Sequence, residues 1–141
     1  MVGLIIFISI VIFLVFIFVS MFTTNKKREK AAITSITNIE MELIQARKDI
    51  IFITGSQIEG REVLSVIGGV RGISKTQATG AAEFELSEKE ALLSLLNEAR
   101  QLGANGVVDV KLNTGTYEKQ GSRWQVSQSI YTGTAVLLED I

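Results

Sequence analysis

The sequence predicts an α+β domain held behind an N-terminal transmembrane helix and a helical connector. Three observations carry this. From Val2 to Phe22 the chain runs through Leu, Ile, Val, Phe and Met, relieved only by Gly3, Ser9 and Ser20, with no ionisable side chain. Between Leu86 and Gly103 apolar residues repeat at the three-and-four spacing of a helix. On either side of that helix lie β-branched runs, and the later ones alternate as half-buried strands do.

The first segment, 1–24, has the about 20 apolar residues that a helix needs to cross a hydrocarbon core roughly 30 Å thick. A cleaved secretory signal is the competing reading. It lacks support here: no basic residue precedes the apolar run, the run is longer than a usual signal core, and no small-residue cleavage site follows it. Lys26, Lys27, Arg28 and Lys30 follow at once, and positive charge beside a span is retained on the cytoplasmic side. The expected location is a single pass of the cytoplasmic (inner) membrane, N-terminus outside and C-terminal domain in the cytoplasm. The same basic residues are expected to touch membrane lipid, each adding about 1 kcal/mol near an anionic surface.

Segment 25–49 joins this collar to an amphipathic helix. No Gly lies between Gly3 and Gly55 and the chain has no Pro, so a helix can continue from lipid into water. Thr23, Thr24 and Asn25 are poor helix formers, so a bend at the membrane surface is the alternative. Beyond Lys30, Ala32, Ile36, Ile39, Leu43, Ala46 and Ile50 trace a seam in steps of four and three. Such a seam suits either a coiled coil between subunits or a helix lying on its own domain.

Segment 50–141 is the domain. Ile50 to Thr54 and Glu62 to Val70 read as strands, with Gly68, Gly69 and Gly72 ending or bulging the second. Those glycines lack the spacing of a phosphate loop. From Gly72 to Glu85 the composition is that of a loop. Leu86-Ser87-Glu88-Lys89-Glu90 has the form of a capping box, predicting a helix that starts at Ser87 and stops at Gly103. Val108, Val110 and Leu112 alternate with Asp109 and Lys111, predicting a half-buried strand. Polar residues around Glu118 to Ser122 turn the chain, and Arg123 to Leu138, through Trp124, Val126, Ile130 and Val136, returns as the second arm of a hairpin. One helix over a small antiparallel sheet is the result.

Composition narrows the function. From Ala31 onward ten basic residues face fourteen acidic ones, the wrong balance for nucleic acid. Cys and His are both absent, which removes thiol and imidazole catalysis, disulfides and every Cys/His zinc arrangement. No triad or paired-acid spacing points to an enzyme, and no cofactor is expected.

Three stretches carry a resemblance: Ile53-Thr54-Gly55-Ser56-Gln57-Ile58-Glu59-Gly60-Arg61-Glu62-Val63, then Glu98-Ala99-Arg100-Gln101-Leu102-Gly103-Ala104-Asn105-Gly106-Val107-Val108, then Thr132-Gly133-Thr134-Ala135-Val136. In that order they resemble the YbjQ-like family, whose label attaches heavy-metal binding to it. The resemblance covers about residues 50 to 138. It implies a dodecin-like βαββ fold whose subunits form a ring of five, with short strands pairing across neighbours. The span is an addition to that domain, and the family's usual acidic and aromatic segment before the helix is shorter and polar here.

Candidate sites follow from these readings. Glu83 and Glu85, two apart, share a face if extended and are the weak candidates for a hard cation, though two carboxylates fall short of the six or more oxygens calcium takes. Asp109 suits a cross-strand partner, and Tyr117, Trp124 and Tyr131 suit strand packing or a subunit interface. Arg100 suits the negative end of the helix dipole. The membrane-surface set is Lys26, Lys27, Arg28 and Lys30. The set for a helical oligomer seam is Ile36, Ile39, Leu43, Ala46 and Ile50. The expected function is a non-enzymatic, homo-oligomeric assembly or scaffold module on the cytoplasmic face, its partners lipid and itself. The alternative is a ring that binds or helps transport a metal ion or small ligand.

Overall fold

The computed structural model describes residues 2–118, 121 and 125–139. Helix α1 (Val2–Asp49) is one unbroken element, about 72 Å long at 1.5 Å per residue. No bend occurs at the threonines. Thr23 and Thr24 return their hydroxyls to the carbonyls of Val19 and Ser20, so neither competes for the backbone of the next turn. From Ile10 to Phe22 the large apolar side chains stand exposed. This part of α1 is long and apolar enough to cross a membrane, by length and composition.

After α1 come β1 (Ile51–Phe52), β2 (Val63–Ile73), helix α2 (Ala81–Gln101), β3 (Gly106–Glu118) and β4 (Gln125–Leu138). The sheet order is β1-β3-β4-β2. It is mixed, not antiparallel as expected, because β1 runs parallel to β3 while β3 and β2 both run antiparallel to β4. The glycines do not end β2. It continues through them to Ile73, with irregularities in register between Val63 and Ser65 and between Val66 and Gly68. The clean alternation expected of β3 also breaks: its register shifts between Val108 and Lys111, Asp109 takes φ +53°, and Leu112 is left exposed. The start of the final strand at Arg123 and Trp124 lies outside the described residues.

Two helices, not one, build the core. Leu92, Leu95, Leu96 and Ala99 of α2 meet Leu43 and Ala46 of α1 and Ile50 just after it on one side, and Val70, Val107, Val110 and Ala135 of the sheet on the other. The connector is therefore part of the domain. A smaller cluster of Val108, Val136 and Leu138, with Ile53 and Ile58, gathers a second set of sheet residues under the loop after β1. The two helices run parallel, as the ion pairs Glu40–Lys89 at 2.9 Å and Asp49–Arg100 at 2.7 Å require.

Candidate functional site

The start of α2 lies two turns before the expected one. Gly80 is the N-cap, and Glu83, at the third helical position, accepts hydrogen bonds from the Thr79 N–H at 2.9 Å and the Thr79 hydroxyl at 2.7 Å. Partial burial pushes the Glu83 carboxyl up, but those bonds, the charge of Arg28 and the Gly80 N–H outweigh it, and the net shift is downward. Glu83 is thus a capping carboxylate. Glu85 sits two positions on in a helix, where such neighbours diverge, and it pairs with Lys89 at 3.5 Å. The extended segment that would have brought Glu83 and Glu85 onto one face does not exist.

Ser87 caps nothing. It is buried at the end of the second turn, where its hydroxyl donates to Ser74 Oγ at 2.8 Å and accepts from the Ser129 N–H at 3.0 Å. Glu90 turns instead to the loop before the helix, accepting from the backbone of Lys75 and Thr76 and from the Thr76 hydroxyl. The expected loose loop is consequently pinned, with Ala78 bridging to Ser127. These three serines form a buried polar network that stitches β2, α2 and β4 together.

The motif residues do structural work. Asn105 grips the end of β4 from both sides of its amide, accepting from the Leu138 N–H at 2.7 Å and donating to the Leu138 carbonyl at 3.0 Å. Gly133 lies so close to β3 that an added Cβ would stand 2.7 Å from Val107 Cγ1. Neither carries a reactive group.

The helical seam is also accounted for. Leu43, Ala46 and Ile50 are buried against α2, with Ile36 and Ile39 half-buried along the same face. Closing the domain's own core consumes the apolar stripe expected to join subunits, so it offers no coiled-coil face. Lys26, Lys27, Arg28 and Lys30 are all exposed one to two turns beyond the apolar run. Arg100 reaches across to Asp49, in addition to its place at the helix end.

What remains open is the edge of the sheet. Strand β2 has no neighbour on its outer side among the described residues, yet it exposes Leu64 (58%), Val66 (67%) and Ile67. Its register partner region adds Leu137. The apolar residues of this strand fall at both parities, and their spacing does not tell which part is uncovered. On the opposite flank β1 pairs only with Gly106 and Val107, leaving the outer edge of β3 from Lys111 to Glu118 without a strand. An exposed apolar edge of this kind is a template for strand pairing.

A two-helix α+β domain with two open sheet edges and an apolar helical extension is the class of protein these features define. The family model described as "Putative heavy-metal-binding" (YbjQ) matches residues 33–139, and the chain belongs to this family. It is 34% identical to a UPF0145 protein of Synechocystis over 76% of this chain and 99% of that one. A UPF0145 protein of Caulobacter vibrioides is 34% identical over 75% and 98%, and one of Methanothermobacter thermautotrophicus 26% over 69% and 97%. A crystal structure of a protein of unknown function from Pediococcus pentosaceus, assigned to the DUF74 family, shares the fold. Its TM-score is 0.51 at 21% identity, over 64% of this chain and 98% of that one. The apolar half of α1 lies outside the family match.

The donor set does not fit the heavy metal of the family's description. A soft metal takes thiolate, imidazole or thioether; this chain has no Cys or His, and Met21 and Met41 lie twenty residues apart along α1. Among the described residues no three carboxylates gather into a group.

Proposed function

We propose that this protein is a membrane-anchored, non-enzymatic assembly module that forms a homo-oligomeric ring on the cytoplasmic face. The observation that carries the reading is the bare edge of β2, where Leu64, Val66 and Ile67 face outward from a strand with free backbone donors and acceptors. The uncovered edge of β3 is its natural complement. Pairing β2 of one copy with β3 of the next is a head-to-tail contact, which closes into a ring when the rotation between successive copies divides the full circle. The family resemblance supports five subunits. The exposed apolar part of α1 and the basic collar that follows support the anchor and its orientation.

The test is the mass of the full-length protein extracted in mild detergent. A discrete oligomer, with five copies, is expected. Val66→Lys places a charge on the open edge without touching the protomer core, and it is expected to yield a folded monomer. A monomeric wild type, or an oligomer indifferent to Val66→Lys, overturns the reading.

A further inference from the structure

The outer edge of β2 is not uniform along its length. In an antiparallel ladder every second residue turns its N–H away from its partner. Arg71 stands opposite Thr132 of β4, yet its N–H donates outward, to the Glu98 carboxylate of α2 at 2.8 Å. Just past the strand, the Glu90 carboxylate accepts from the N–H groups of Lys75 at 2.9 Å and Thr76 at 2.7 Å. Residues spaced by fours fall along one side of a helix, so Glu90 and Glu98 hang over the same flank of the sheet. They reach it because α2 rests directly on the strand: Gly72 has no side chain, and a Cβ there would stand 2.9 Å from the Leu95 Cα.

From Leu64 to Gly69 the edge is different. Among the described residues no side chain of α2 and no loop bonds to it from outside. Both irregularities in the pairing with β4 fall here, and each leaves one residue without a register partner, Leu64 and Ile67. Bulges that protect an edge twist it away or set a charge on it. These two present large apolar side chains to solvent instead, with Val66 between them. One strand therefore has an open apolar stretch and a stretch whose outward donors carboxylates already hold. The second stretch is a poor template. A neighbour's carbonyl would exchange a charge-assisted hydrogen bond for a weaker neutral one, and would bury the carboxylate it displaced.

We infer that Glu98 and Glu90 guard the β2 edge, closing it from Arg71 to Thr76 and confining the strand of a second copy to Leu64–Gly69. This rests on copies joining through β2. It adds where the contact stops and which side chains stop it, so that one alignment of neighbouring copies is favoured over sliding along a longer edge.

Hydrogen exchange resolved to single amides tests this on the full-length protein in mild detergent, with the wild-type oligomer set against the Val66→Lys monomer. Assembly is expected to slow exchange between Leu64 and Gly69 and to leave Arg71, Lys75 and Thr76 as they are in the monomer. Adding Glu98→Ala to the monomer is expected to speed exchange at Arg71 by about tenfold, the loss of one charge-assisted hydrogen bond. In the wild-type background Glu98→Ala should turn a discrete mass into a spread of assemblies, and Glu98→Gln, which keeps an accepting oxygen, should not. Slowing that extends through Arg71 to Thr76 on assembly, an Arg71 amide indifferent to Glu98→Ala, or an unchanged mass for that variant overturns the guard and leaves the ring standing. A monomeric wild type, or a Val66→Lys protein that stays oligomeric, ends the ring and the guard's part in it.

Discussion

Gly72 shows how one missing side chain sets the distance between two layers. A Cβ there would stand 2.9 Å from the Leu95 Cα and closer still to the Ala91 carbonyl, both backbone atoms of α2 that cannot swing aside. The helix must lift or the strand must shift. Gly72→Ala is expected to destabilise the domain by at least the about 1–3 kcal/mol typical of overpacking, read as a lower urea midpoint. Glu83 acts through charge instead of volume. Its folded carboxyl is held below the ordinary 4.5, so it contributes stability that is present above that value and lost as pH falls through the lowered one. Glu83→Gln is therefore expected to lower the thermal midpoint at pH 7 and to flatten its decline below about pH 4.5. A variant whose midpoint matched the wild type at neutral pH would remove Glu83 from the cap.

At the scale of elements, α1 performs two tasks that the chain divides near Ala32. Beyond that residue its inner stripe belongs to the domain: Leu43 is buried against α2, whereas Met41, two residues away, is exposed. Leu43→Ala is expected to cost about 2–5 kcal/mol and Met41→Ala within about 0.5 kcal/mol. Because the contact is within one chain, the loss should not depend on protein concentration, which thermal melts at two concentrations would check. The stripe itself was legible from its spacing, but spacing does not say which surface an amphipathic helix covers. The same holds for α2. Its apolar face was plain from Leu92 to Leu102, yet Ser87 and Glu90 imitated a capping box while serving a buried serine network and a distant loop. The true signal was Thr79 with Glu83, hidden because Gly80 supplies no capping side chain. The parallel pairing of β1 depends on where α1 delivers the chain, which no local pattern encodes. The open edge of β2 was not legible, because apolar spacing speaks to the two faces of a strand and only the strand order shows that its outer side is unpaired.

For the whole molecule, the proposed function turns on which side of a bilayer the domain would occupy, since the proposed ring and collar would work from one leaflet. Lys26, Lys27, Arg28 and Lys30 follow the apolar run within about two helical turns of its end. Basic residues this near a span dominate its orientation, and acidic ones contribute little, so Glu29 does not cancel them. The absence of cysteine makes the test clean, because any introduced thiol is the only one. Ser56, exposed in the loop after β1, tolerates Ser56→Cys without loss of a core contact. In cells, a membrane-impermeant maleimide is expected to label that thiol only after the membrane is permeabilised. Replacing the collar with Gln at all four positions should bring labelling in intact cells, as chains insert in both orientations, while Leu43, Ala46 and Ile50 keep the domain folded. Labelling of the wild-type collar in intact cells would place the domain outside and remove the cytoplasmic assembly from consideration.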